Sequence, residues 1–139
     1  MLRLSDLQLA HIRRAAERAY PEECCGLLVG HDSEGDICVT RVVDSPNVHP
    51  ERTRDRFEVD PKIRLDLERE LRGTPERIVG HFHSHPDHPA MPSETDRTMA
   101  FEPALVWVIV AVLGGCIEEV RAFKPDEPQG DFAELEIGP

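Results

Sequence analysis

Lysine is almost missing from this chain: Lys62 and Lys124 are the only two, against 14 arginines. Acidic residues outnumber basic ones by 27 to 16, which leaves a formal net charge of −11. That balance excludes a nucleic-acid surface, because phosphate contacts need clustered Lys and Arg. The arginine bias itself fits either a salty interior or GC-rich coding. No run of 18 apolar residues exists, and the longest, Ala104 to Leu113, has a strand's length rather than a membrane span's. Met1 to Ala10 holds no apolar stretch, and Arg13 and Arg14 stand where the core of a signal peptide would run. The four cysteines show no CxxC spacing, and the adjacent Cys24 and Cys25 would make a strained disulfide. Reduced thiols and a cytoplasmic location are therefore expected, with no membrane contact.

What is present suffices for one core. At 139 residues and 40% hydrophobic content, the chain is expected to form a single domain over 1–139. Ser5 with Gln8 makes a capping-box pattern, and Leu9, Ile12, Ala16 and Ala19 follow at helical spacing until Pro21. Leu27-Leu28-Val29 reads as a short buried strand, Asp32 to Gly35 as a turn, and Ile37 to Val43 as the returning strand. A polar loop runs from Asp44 to Phe57. Asp60 and Pro61 then open a second helix with Ile63, Leu67 and Leu71 inward, ended by Gly73. Arg77 to Phe82 reads as a strand, Pro86 to Pro92 as a proline-rich loop, and Ser93 starts a third helix that Pro103 closes. Ala104 to Leu113 is rich enough in β-branched residues for the middle of a sheet. Gly114-Gly115 turns it into Cys116 to Phe123, and Phe132 to Ile137 alternates like a last strand. The fold class is α/β, a mixed sheet flanked by helices.

The chemistry concentrates in Gly80-His81-Phe82-His83-Ser84-His85-Pro86-Asp87-His88, where four of the seven histidines fall within eight residues. Residues two apart on a strand share a face, so His83 and His85 can present their imidazoles to one point. Imidazole pairs with a carboxylate are the donor set of a catalytic zinc site, and Asp87, Glu94 and Asp96 are the carboxylates at hand. The bland alternative is a solvated His-rich loop with no metal. His83, His85, Asp87 and His88 also spell the metallo-β-lactamase pattern. That superfamily needs histidines further downstream and a larger sandwich, and none follows His88.

A second pattern fits better. His83-x-His85, ten intervening residues and Asp96, with Ser93 opening a Ser-x-x-Asp and Gly80 leading in, resembles the JAMM (MPN+) zinc metalloprotease family. Upstream, Pro21-Glu22-Glu23-Cys24-Cys25-Gly26-Leu27-Leu28 resembles the segment that carries that family's glutamate, with Glu23 at its place. The resemblance covers nearly the whole chain and is to the short, stand-alone prokaryotic members. It departs at His81, where the family more often has an apolar or aromatic residue. His81 is a second-shell partner, an alternative ligand or a partly buried structural residue, and His88 reads as a rim residue.

The resemblance implies a JAMM/MPN fold with a layout like that of cytidine deaminases. It implies His83, His85 and Asp96 as zinc ligands, a zinc-bound hydroxide as the attacking group, Glu23 as general base, and Ser93 as hydroxyl donor to the oxyanion. Ser93 has a bland role too, as N-cap of the third helix. The implied substrate is the amide after the Gly-Gly tail of a ubiquitin-like or sulfur-carrier protein. The charged loop Asn47 to Phe57 and the proline loop Pro86 to Pro92 are the two segments that can hold such a tail. The rival readings are a metal-free MPN scaffold that binds protein partners and a zinc amidohydrolase of small molecules. A deaminase is excluded, since the Pro-Cys-x-x-Cys half of its signature is missing.

Overall fold

The computed structural model describes residues 1–51 and 56–139. Along the chain run β1 (Leu2–Arg3), α1 (Asp6–Ala19), β2 (Cys25–Ser33), β3 (Asp36–Ser45), α2 (Pro61–Leu71), β4 (Arg77–Pro86), α3 (Glu94–Met99), β5 (Val106–Leu113), β6 (Cys116–Pro125), β7 (Phe132–Leu135) and β8 (Ile137–Gly138). The strands form one eight-stranded sheet in the order β7-β6-β5-β4-β2-β3-β1-β8. It is mixed, as the sequence predicts: β4–β5, β1–β3 and β1–β8 are parallel, and the other neighbours antiparallel. No helix among the described residues is long and apolar enough to cross a membrane.

Local signals account for the helices. Ser5 accepts from the Gln8 N–H while the Gln8 side chain accepts from the Ser5 N–H, closing the capping box of α1. Asp60 caps α2 by accepting from the Lys62 N–H, with Pro61 in the first position. The third helix is shorter than expected, ending at Met99 well before Pro103. Strand β4 is longer, continuing through His83, Ser84 and His85 to Pro86 because β5 pairs with it residue for residue from Gly80–Val106 to Pro86–Val112. The two-residue β1 and β8 were not foreseen. Leu2 and Leu4 are nonetheless fully enclosed, so this edge belongs to the core.

The two faces of β5 show why it sits inside the sheet. Val106, Val108, Val110 and Val112 pack with Ile12 and Ala16 of α1, while Trp107, Ile109 and Ala111 face the opposite layer with Ala90 and Ala100. Helix α2 covers that second layer further along through Leu67 against Leu27, Val29 and Ile78. A period of two with both faces buried is the mark of an interior strand. Glycine is required where backbones approach: a Cβ at Gly80 would lie 2.2 Å from the Val106 carbonyl oxygen. Gly80→Ala should therefore push β4 away from β5 and cost about 1–3 kcal/mol, the usual range for overpacking. A urea denaturation midpoint equal to that of the wild type would show that the pair gives way freely.

Candidate metal centre

The alternation of β4 places His81, His83 and His85 on one face, opposite Trp107, Ile109 and Ala111 of β5. On its other edge β4 runs antiparallel to β2, with Cys25 opposite His83. The Ser84 N–H donates to the Cys24 carbonyl at 3.2 Å, and the Cys24 N–H donates to Ser84 Oγ at 2.8 Å. That ladder brings the residue before it, Glu23, close to the ring nitrogens of His83 and His85. Helix α3 supplies the last group. Ser93 Oγ accepts from the Asp96 N–H at 3.0 Å while Asp96 Oδ2 accepts from the Ser93 N–H at 2.9 Å, a capping box built with aspartate.

Three separate stretches of sequence thus converge. Glu23, His83, His85 and Asp96 are all buried, between 0% and 6% exposed. One ligand atom each from Glu23, His83 and His85 lies within 4.8 Å of the others. His83 Nε2 is 3.1 Å from His85 Nε2 and 3.2 Å from Asp96 Oδ1, and His85 Nε2 is 3.0 Å from Asp96 Oδ2. His85 Nδ1 lies 2.8 Å from the Pro89 carbonyl oxygen, which can only accept, so the ring proton sits on Nδ1. In the neutral ring Nε2 then turns a lone pair toward the other two residues. Burial pushes the His83 imidazole down, against the pull of Asp96. Burial alone would raise the Asp96 carboxyl, but His83 and His85 outweigh it and hold the group well below the usual carboxylate range. Buried groups whose polar atoms lie 3.0–3.2 Å apart must share a proton or a cation among them. Two imidazole nitrogens and carboxylate oxygens make a donor set that suits a divalent cation of zinc's type.

The other acidic and histidine candidates stand apart. Asp87 is engaged elsewhere: both its carboxylate oxygens accept from the Tyr20 hydroxyl, at 3.1 and 2.8 Å, and Oδ1 also accepts from the Gly114 N–H. Glu94 is exposed on α3. His88 is exposed at the rim of a hollow of about 390 Å³ that also touches His85 and Ser93. His81 packs edge-on to Trp107 at 4.3 Å, and burial pushes it down to about 3, so it stays neutral. A second hollow, about 340 Å³, borders Glu23, Cys25 and Asn47. The loop Asn47 to Phe57 lies partly outside the described residues, but its base is closed by the Asn47–Val59 bridge. Sequence reasoning passed over Phe57, whose ring stacks on His83 at 4.3 Å and 14°. Its signal is an aromatic residue alone at the end of a charged stretch.

The chain is similar to known proteins over most of its length. Residues 7–126 match the family described as prokaryotic homologs of the JAB domain. A desampylase of Haloferax volcanii is 28% identical over 132 residues, covering 95% of this chain and 88% of the relative. A CysO-cysteine peptidase of Mycobacterium tuberculosis is 31% identical over 121 residues, covering 87% and 77%. The solution structure of a protein from Desulfitobacterium hafniense superposes with a TM-score of 0.82 at 31% identity, covering 99% of this chain and 91% of the other.

The thiols next to Glu23 are chemically quiet. Burial pushes Cys24 up to about 11 and Cys25 up to about 12, so both remain protonated at neutral pH. The folded state holds these protons more tightly than the unfolded chain does. Their contribution to stability is therefore complete below the ordinary thiol range near 9 and is lost as the pH rises toward 11 and 12. At pH 8 a thiol-specific reagent should label the exposed Cys116 at once and reach Cys24 and Cys25 only after denaturant is added. Labelling of either at the rate of Cys116 would mean that this wall of the site opens in the native state.

Proposed function

The chain belongs to the family of prokaryotic homologs of the JAB domain, and from that premise we propose that it is a zinc-dependent isopeptidase or peptidase acting on the amide that follows a carrier protein's Gly-Gly tail. Hydrolysis of peptide or isopeptide bonds follows from the family and its named relatives, a desampylase and a CysO-cysteine peptidase. The observation that carries the metal reading is the buried convergence of His83, His85 and Asp96, whose ring nitrogens and carboxylate oxygens face one another at 3.0–3.2 Å. These three residues would hold the zinc, and His85 is already fixed in the required tautomer by Pro89. When bound, Zn²⁺ supplies Lewis acidity that lowers the pKa of a coordinated water toward about 7 and polarises the scissile carbonyl.

The remaining work belongs to the chain's own residues. Glu23, beside the ligand atoms and open to the hollow lined by Asn47, takes a proton from the attacking water on a carboxylate oxygen and delivers it to the leaving amine nitrogen. Ser93 Oγ spends its acceptor lone pair on the Asp96 N–H and retains its own hydrogen, which it donates to the oxygen of the scissile carbonyl. The same hydroxyl serves the helix cap and the substrate. A Gly-Gly requirement follows from an extended tail whose backbone must reach the buried ligand group past close walls, where side chains would obstruct it. All four cysteines are free thiols, which suits a reducing compartment, so we place the enzyme in the cytoplasm.

Purified protein should contain about one zinc per chain, and His83→Ala, His85→Ala or Asp96→Ala should lose most of it while His88→Ala keeps it. Glu23→Gln should retain metal and fold yet lose roughly 10²–10⁴ in turnover, with Glu22→Gln close to wild type. A protein that keeps its zinc after Asp96→Ala, or that loses equal activity at Glu22 and Glu23, would refute these roles.

Substrate identity is tested with a carrier conjugate ending Gly-Gly-X, its products read by mass spectrometry. Cleavage after the second Gly is expected, with a steep fall in kcat/KM when either Gly becomes Leu. Equal hydrolysis of free dipeptides would favour a small-molecule amidohydrolase, and no cleavage with no zinc would favour a binding scaffold.

A further inference from the structure

The two histidines of the proposed ligand set are held by different physics. His85 is fixed by a hydrogen bond from Nδ1 to the Pro89 carbonyl. His83 Nδ1 is buried and has no hydrogen-bond partner among the described residues. Its ring is instead packed by aromatic neighbours. Phe57 lies parallel to it with centroids 4.3 Å apart, and Trp107 meets it nearly perpendicular at 5.6 Å. Metal-bound histidines ordinarily rely on a second-shell hydrogen bond for their orientation. Here that duty falls to stacking, which fixes the ring plane and keeps water from the buried nitrogen.

Phe57 is itself held deliberately. The Asn47 side chain brackets it, with Nδ2 donating to the Arg56 carbonyl at 3.0 Å and Oδ1 accepting from the Glu58 N–H at 3.0 Å. The Val48 N–H donates to the Glu58 carbonyl at 3.0 Å and closes the segment beside this bracket. The same Asn47 Nδ2 lies 3.4 Å from the Glu23 carbonyl oxygen. One side chain thus ties the Phe57 segment to the stretch before β2 that carries the proposed base.

We infer that Phe57 is a positioning residue for His83 and that this stack, bracketed by Asn47, sets the affinity of the site for its metal. The inference rests on the metal reading above. Zinc affinity, measured by competition with a chromophoric chelator, tests it without any turnover. Phe57→Leu keeps an apolar side chain but removes the ring, and it should raise the zinc Kd by about 10–100-fold, the usual effect of losing an outer partner of a ligand. Phe57→Tyr, which restores the ring, should return the Kd close to the wild-type value. Phe132→Leu is the control. It removes a ring that touches Trp107 at 5.3 Å in the same apolar cluster but does not stack on His83, so it should lower the melting temperature and leave the Kd unchanged. If Phe57→Leu fails to fold, Phe57→Met repeats the test with a more adaptable chain. A Kd indifferent to Phe57→Leu, or raised equally by Phe132→Leu, overturns the inference while leaving the metal site standing. A wild-type chain that takes up no zinc overturns the metal reading itself, and this inference with it.

Discussion

Strand β4 is hydrogen-bonded on both edges, antiparallel to β2 and parallel to β5, and the site exists because of that double pairing. The parallel register to β5 keeps the chain extended through His83, Ser84 and His85, so two imidazoles project to the same side at a spacing set by the pleat. The antiparallel register to β2 brings in a carboxylate from a segment sixty residues earlier, through the reciprocal bonds of Cys24 and Ser84. Asp96 arrives from α3, and its helix is anchored by the same side chain that reaches the imidazoles.

This arrangement has a cost that reveals its purpose. The flank of the site is apolar, with Trp107, Ile109 and Ala111 of β5 beside the three histidines on the same face of the sheet. Burying a carboxylate and two imidazoles in such surroundings costs several kcal/mol for each charge left without a partner. A core selected for stability alone would fill these positions with apolar side chains. The cluster lies next to two hollows open to solvent, the setting in which buried titratable groups are candidates for a functional site.

Much of this was legible in the sequence because the determinants are local or are spaced by rigid elements. Capping residues Ser5, Asp60 and Ser93 mark their helices within one turn, and each behaves as its neighbours predict. The His-x-His alternation is readable because a strand has a period of two, and the β-branched Val106–Leu113 run announces an interior strand. Less legible were features that depend on which distant segments meet. Phe57 and Asn47 act through contacts across the sheet, and Tyr20 reaches Asp87 only because the chain before Glu23 passes over the turn after His85. The two-residue strands at one edge carry too few residues for any periodicity. The end of the third helix at Met99 was overlooked for a related reason: Pro103 is a visible stop, whereas fraying after a six-residue helix leaves no mark in the sequence.

The central claim is that the acceptors of His83, His85 and Asp96 converge in order to hold zinc, with the nearby thiols uninvolved. Zinc K-edge X-ray absorption on the purified protein addresses the donor atoms directly. The account predicts a first shell of nitrogen and oxygen only, at about 2.0–2.2 Å, with imidazole scattering from two rings. A sulfur shell at about 2.3 Å would bring Cys24 or Cys25 into the site and contradict it.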